Sequence, residues 1–222
     1  KKFVKNDGYI IFEVPDCTQG LKINDYNTLW EEHLMYFTKF TLNNSLKLSG
    51  LKIHYFEKYK YPFESVLISI VSPNNKITKN NIVTKSNDIK IENKRVNFSK
   101  DKLFKKKVRI SKFFQKMKNK RKKIAIFGTG HSACFFVNLF GLDKFINFAI
   151  DDDKNKLGYY IPGSKIRIKS SDYLKNKNID LCILGMNFES EKKILRKYEA
   201  FLKNGGKFVS IYPSSKYAIN IK

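Results

Sequence analysis

The stretch Lys122–Gly141, KKIAIFGTGHSACFFVNLFG, decides the fold. Ile124–Phe127 is an apolar run that reads as a buried strand, and Gly128-Thr129-Gly130-His131-Ser132 is a tight loop that ends it. Ser132–Phe140 then has the apolar spacing of a helix, closed by Gly141. Strand, glycine loop and helix in one short stretch form the opening unit of an α/β sheet. Downstream, Phe145–Ile150, Ile166–Ile168 and Leu181–Leu184 read as three further strands. Helices are expected over Ser171–Lys175 and Glu189–Asn204, the latter stopped by Gly205-Gly206, and Phe208–Tyr212 closes the sheet. This alternation predicts a parallel, doubly wound sheet, for which about 100 residues from position 123 to 222 suffice as an independent unit.

Upstream the pattern changes. Residues 74–99 are rich in Asn and Lys and read as a linker, with a short strand at Ile89–Ile91. From Ser99 a helical pattern places Phe104, Val108, Phe113, Phe114 and Met117 mostly on one face and a run of lysines on the other. Such a helix can lie on a membrane or dock a partner, but the more general use is to pack on its own domain with lysines solvated. Before the linker, Tyr9–Val14, Leu51–Phe56 and Val66–Val71 read as strands, with a helix over Lys39–Ser49 ended by Gly50. Three strands and a helix bury little core alone.

Two constellations carry chemistry. In the first, the loop Gly128–Ala133 has a strand before it and a helix after it, the setting in which backbone approaches a phosphate. Ala133 stands where a third glycine is usual, and Asp151 follows Gly128 by 23 residues, near the ~20 expected of a ribose-binding carboxylate. The loop thus reads as a nucleotide site, or else as a turn and helix start with no ligand. His131 is then a phosphate donor or an exposed turn residue. Asn187 sits at another strand's carboxyl end, where its amide can donate and accept. Asp151-Asp152-Asp153 is no cation site, since consecutive side chains on an extended chain point apart. In the second constellation, Trp30-Glu31-Glu32-His33-Leu34-Met35-Tyr36-Phe37 follows the first strand. A histidine beside carboxylates moves protons near neutral pH. Alternatively, Trp30, Leu34 and Phe37 are a core stripe and the charges its solvated side. His54, inside a strand-like run, reads as structural.

Taken together, these motifs resemble the sugar C-methyltransferases. The residues that carry the likeness are Asp7-Gly8 before an apolar strand, Asn24-Asp25-Tyr26 through Trp30-Glu-Glu-His33, the GTGHSA loop, and above all GYYIPGSKIRI at Gly158–Ile168. The resemblance covers roughly residues 1–72 and 121–215. It implies a Rossmann-like parallel sheet domain at the C-terminus, preceded by the closing strands of an incomplete class I methyltransferase sheet. It divides the chain into 1–73, the end of a methyltransferase domain, a linker over 74–99, and a C-terminal domain over 100–222 led by the basic helix. It also implies S-adenosylmethionine as donor, although the family's glycine-rich donor loop and its zinc-binding segment are not in this chain. The expected partners are therefore a nucleotide-sugar or small keto substrate, and a chain carrying the missing half. By the same likeness His33 is the acid/base group and Glu32 tunes it. Trp30, Tyr36, Gly128, Gly130, His131, Asp151 and Asn187 are the expected substrate contacts, with no metal. A phenol three residues before the histidine is replaced by Trp30.

Composition narrows the alternatives. The formal charge is +24, yet only five of the 44 basic residues are arginine, the residue on which base and phosphate readout leans. Nucleic acid is therefore not the expected partner, while an anionic small substrate is favoured by the positive field. The three cysteines are widely spaced, which fits a reducing cytoplasm, and no apolar run is long enough to span a membrane. Two other readings stay open: a non-catalytic nucleotide-sugar binding module, and, ranked last, a nicotinamide-dependent oxidoreductase resting on the loop and Asp151.

Overall fold

A computed structural model describes residues 4–5, 7–23, 25–26, 29, 33–61, 64–73, 86–175 and 179–219. The chain forms two compact units, Lys1–Asp101 and Lys102–Lys222.

In the first unit, β1 (Ile10–Pro15) is followed by α1 (Thr18–Ile23), α2 (Lys39–Leu48), β2 (Leu51–Lys60) and β3 (Ser65–Pro73). The strands form an antiparallel sheet in the order β1-β3-β2, with Ile10 opposite Val71 and Val14 opposite Leu67. Alternation along β1 turns Ile10, Phe12 and Val14 toward Leu67, Val71 and the buried face of α2 at Leu42 and Leu46. Ile11, on the opposite face, is exposed. α2 starts where expected because Thr38 and Thr41 cap each other's backbone N–H groups, and Gly50 turns the chain into β2 with φ of 73°.

Ser86–Asn119 is one continuous helix, α3, of 34 residues. The strand expected at Ile89–Ile91 is therefore helical, as is all of the expected linker from residue 86 onward. Its polar composition concealed local helix support: Asp88 in the first turn, an Arg95–Glu92 pair at i,i+3 in which one guanidinium nitrogen donates to both carboxylate oxygens, and a hydrogen bond from the Thr38 hydroxyl to Glu92.

The second unit contains the end of α3, then β4 (Ile124–Phe127), α4 (His131–Phe140), β5 (Phe148–Asp151), β6 (Ile168–Ser170), β7 (Leu181–Leu184), α5 (Phe188–Lys197), α6 (Glu199–Lys203) and β8 (Lys207–Ser210). All five strands are parallel, in the order β6-β5-β4-β7-β8. The order reverses between β4 and β7, which makes their carboxyl ends a topological switch point. Central strands β4 and β7 are buried along their whole length, the signature of a sheet covered on both faces.

Three details differ from the periodicity-based expectation. Phe145 and Ile146 form a buried turn ahead of β5, not its start, while Ile166 closes a hairpin by accepting the Ile161 N–H. The long helix expected over Glu189–Asn204 breaks at Tyr198, whose side chain is buried in the core, into α5 and α6. Finally, the apolar face expected on α3 is buried at Phe114, joined by Ile110, but Phe104 and Val108 are exposed; Phe114 stacks on Phe145 at 6.1 Å. The core thus includes α3, and residues 123–222 alone would leave that face uncovered.

Gly185, just past β7, has an intended close approach. A Cβ there would lie 2.7 Å from the Cβ of Ala133 and 3.3 Å from Ile126 Cδ1. Here Ala133 and Gly185 share the close helix–strand packing that a third loop glycine would otherwise provide. Gly185→Val is expected to force α4 off the sheet at a cost of about 1–3 kcal/mol. Urea denaturation measures this, and an unchanged midpoint would contradict the packing.

Candidate functional site

At the switch point a cleft of about 400 Å³ opens between the loop after β4, the carboxyl end of β5, the start of α5 and the segment after β8. Gly128 and Gly130 serve it differently. Gly128 has φ of 87°, and a Cβ there would lie 3.3 Å from the Met186 backbone nitrogen, so the turn itself requires glycine. Gly130 has an ordinary φ of −76°, and no atom of the protein lies within 4 Å of where its Cβ would be. Neither conformation nor packing requires glycine at 130, and its bare backbone faces open space. It is also the N-cap of α4 and offers no side-chain cap, while the N–H groups of a first helical turn have no intrahelical acceptors. That combination suits an anion.

Asp151 is placed at the end of β5 as expected, but its carboxylate is turned inward. Oδ2 accepts the Thr129 N–H at 3.0 Å, the Thr129 hydroxyl and the Lys156 ammonium at 3.3 Å, and Oδ1 accepts the Asp153 N–H at 3.0 Å. Burial alone would raise this carboxyl; the Thr129 hydroxyl, the Asp153 N–H and Lys156 outweigh it and hold the group below the usual carboxylate range. With Oδ2 saturated, Asp151 cannot grip a ribose diol with both oxygens. It organises the glycine loop. Asp152 pairs with Lys197 at 2.8 Å, and Asp153 caps the turn that follows, so the three aspartates serve three different partners.

Asn187 is the N-cap of α5, its carbonyl oxygen accepting the Ser190 N–H at 3.0 Å, so a ligand would meet chiefly its amide donors. His131 opens α4 half-buried, stacked on Phe135 at 6.0 Å, and is not simply an exposed turn residue. Sequence reasoning missed Lys156 and Tyr212 as lining residues. The apolar run Phe208–Tyr212 makes Tyr212 the last residue of the expected closing strand. That strand stops at Ser210, and Pro213-Ser214-Ser215 is the turn signal that could have placed Tyr212 at a carboxyl end.

In the first unit the expected acid/base cluster is only partly seen. Trp30 and Glu32 lie outside the described residues. His33 is exposed, with its ring 6.0 Å from that of Tyr36 in an edge-on arrangement. The core-stripe alternative fails at Leu34, which is 95% exposed, although Phe37 does pack on the sheet core. Phe37 bridges Asp16, and its carbonyl accepts the Cys17 N–H at 2.8 Å, which ties the segment after His33 to the carboxyl end of β1. Asp16 is buried there; burial would raise its carboxyl, but Lys58 and Thr18 outweigh it and lower it. His54 bonds Ser72 at 2.7 Å across the sheet, a structural placement.

The geometry defines a Rossmann-like domain with a glycine loop at its switch point. The sequence model of the C-methyltransferase C-terminal domain matches residues 76–213, most of the chain and all of α3. The chain belongs to this family. No curated protein matches it. Among the described residues no helix is long and apolar enough to cross a membrane.

Proposed function

We propose that the chain is the C-terminal portion of an S-adenosylmethionine-dependent C-methyltransferase acting on a nucleotide-linked sugar or a similar keto substrate. In this reading the cleft of the second unit holds the nucleotide or diphosphate end of the substrate. The observation that carries it is Gly130, a glycine required by neither turn nor packing, at the start of a helix beside a cleft. A second reading, a nucleotide-sugar binding module without catalysis, rests on the same cleft. The nicotinamide reading is weakened by Asp151, whose carboxylate is spent on its own loop.

The residues present do not fit the methyl donor. A strand, Gly-x-Gly loop and helix occurs once among the described residues, and the acid that would hold a donor ribose there is Asp151, with Oδ2 saturated. Donor binding is therefore assigned to a half of the enzyme outside these residues, whether on the same or a partner chain. This chain alone is expected to give no calorimetric heat with S-adenosylmethionine at physiological concentrations. A micromolar isotherm would make the Gly128 loop the donor site and sink the assignment.

The chain's own contribution to chemistry would come from His33. Its imidazole would take the proton from the carbon alpha to the substrate ketone, with Glu32 tuning its basicity and Trp30 and Tyr36 as walls. The three widely spaced cysteines support a cytoplasmic setting in this reading. Methyl-transfer assays with the chain joined to its donor-binding half separate enzyme from binding module.

A further inference from the structure

The segment after β8 is held in place by a buried acid that the reading above does not use. Glu191, in the first turn of α5, is 4% exposed. One carboxylate oxygen accepts the Ser210 hydroxyl and the other accepts the Ser215 hydroxyl at 2.6 Å. The Tyr212 N–H donates to Ser210 Oγ at 3.0 Å, and the Ser210 N–H donates to the Tyr217 carbonyl at 2.7 Å. A buried carboxylate is costly unless its lone pairs are used, and here it is used to fix a turn. The turn carries the Tyr212 phenol across the chain to the first turn of α4, where its hydroxyl donates to Ser132 Oγ at 2.9 Å. Tyr212 lines the cleft that also contains Gly130 and Lys156.

We propose that Tyr212 is a ligand-binding residue that donates its phenol hydroxyl, alongside Lys156, to a phosphate group of the substrate beside Gly130, and that Glu191 is its positioning residue. The proposal rests on the reading of the cleft as a substrate site. Three arguments support it. A phenol is a donor that reaches far at low conformational cost and stays neutral at physiological pH, so it can turn from Ser132 to an anionic oxygen without a change of charge. Lys156 Nζ sits 3.3 Å from the largely buried Asp151 while its own side chain is partly exposed, so an arriving phosphate can share it. And these side chains reach the same cleft from the turns after β5 and β8, while the space within 4 Å of a Cβ at Gly130 is open.

The test uses calorimetry on the full chain with UDP-glucose, inorganic pyrophosphate and uridine. Wild type is expected to bind the first two. Tyr212→Phe should weaken both about 10- to 100-fold, the range for a lost hydrogen bond to a charged group. The melting temperature without ligand should fall no further than in Ser132→Ala, which removes the same hydrogen bond, whereas a merely structural hydroxyl would leave the affinities unchanged. Glu191→Ala should weaken binding similarly, and Glu191→Gln, whose amide can still meet both serines, should restore most of it. Tyr212→Phe binding pyrophosphate like wild type, while Gly130→Val binds nothing, would overturn the role of Tyr212 and leave the cleft standing. Wild type binding neither phosphate ligand would overturn both.

Discussion

His33→Ala is expected to lower methyl-transfer turnover by about 10²–10⁴-fold, the usual range for a lost acid/base group. The measurement requires the chain acting with its donor-binding half, and it should leave substrate and donor affinities nearly unchanged, because the imidazole acts in the proton-transfer step. The physical basis is placement. The backbone just after His33 is tied to the carboxyl end of β1 through Phe37, and the imidazole itself is exposed beside Tyr36. His33 is exposed, so the substitution should not unfold the protein. Glu32→Gln should have a smaller effect and shift the pH profile, since it tunes the imidazole without moving the proton. Turnover near wild type in His33→Ala would make His33 a surface residue and return catalysis to groups outside this chain.

The second large effect is expected at Gly130. A Cβ there has open space to 4 Å, and φ of −76° suits any residue, so the loss should be mainly that of a poorer helix cap, about 1 kcal/mol. Ligand binding should fare differently. A nucleoside-diphosphate sugar at 100 times its dissociation constant stabilises the wild-type fold by about 2.7 kcal/mol, and in Gly130→Val that thermal shift should vanish because the side chain fills the approach to the backbone. The same shift in wild type and variant would remove the loop from the binding site.

Much of the second unit was legible in its sequence because central parallel strands are short, continuous apolar runs punctuated by glycine. Ile124–Phe127 and Leu181–Leu184 fall where their composition places them, and Gly141 ends its helix with a left-handed φ of 61°. The failures were places where tertiary contacts override local pattern. Ile166 has strand character yet serves a hairpin, and Tyr198 breaks a helix to reach the core. The polar start of α3 shows no clear apolar period, and an ion pair and a hydrogen bond from Thr38 support it instead. The site was readable as a set of residue types at strand ends. What the spacing could not reveal was direction: Asp151 stands at the right distance from Gly128 but points its charge back into the loop. Nor could it foresee that Tyr212, 80 residues from Ser132, would meet it.

The inward turn of Asp151 also bears on the timing of recognition. Because Thr129 is fastened by both its N–H and its hydroxyl, the glycine loop acquires its shape during folding and not on contact with a ligand. The entropy of ordering it is already lost before encounter, so little of the interaction energy need be diverted to it. Association should then proceed in a single kinetic phase that scales linearly with ligand concentration, and differences among related ligands should emerge as differences in residence time.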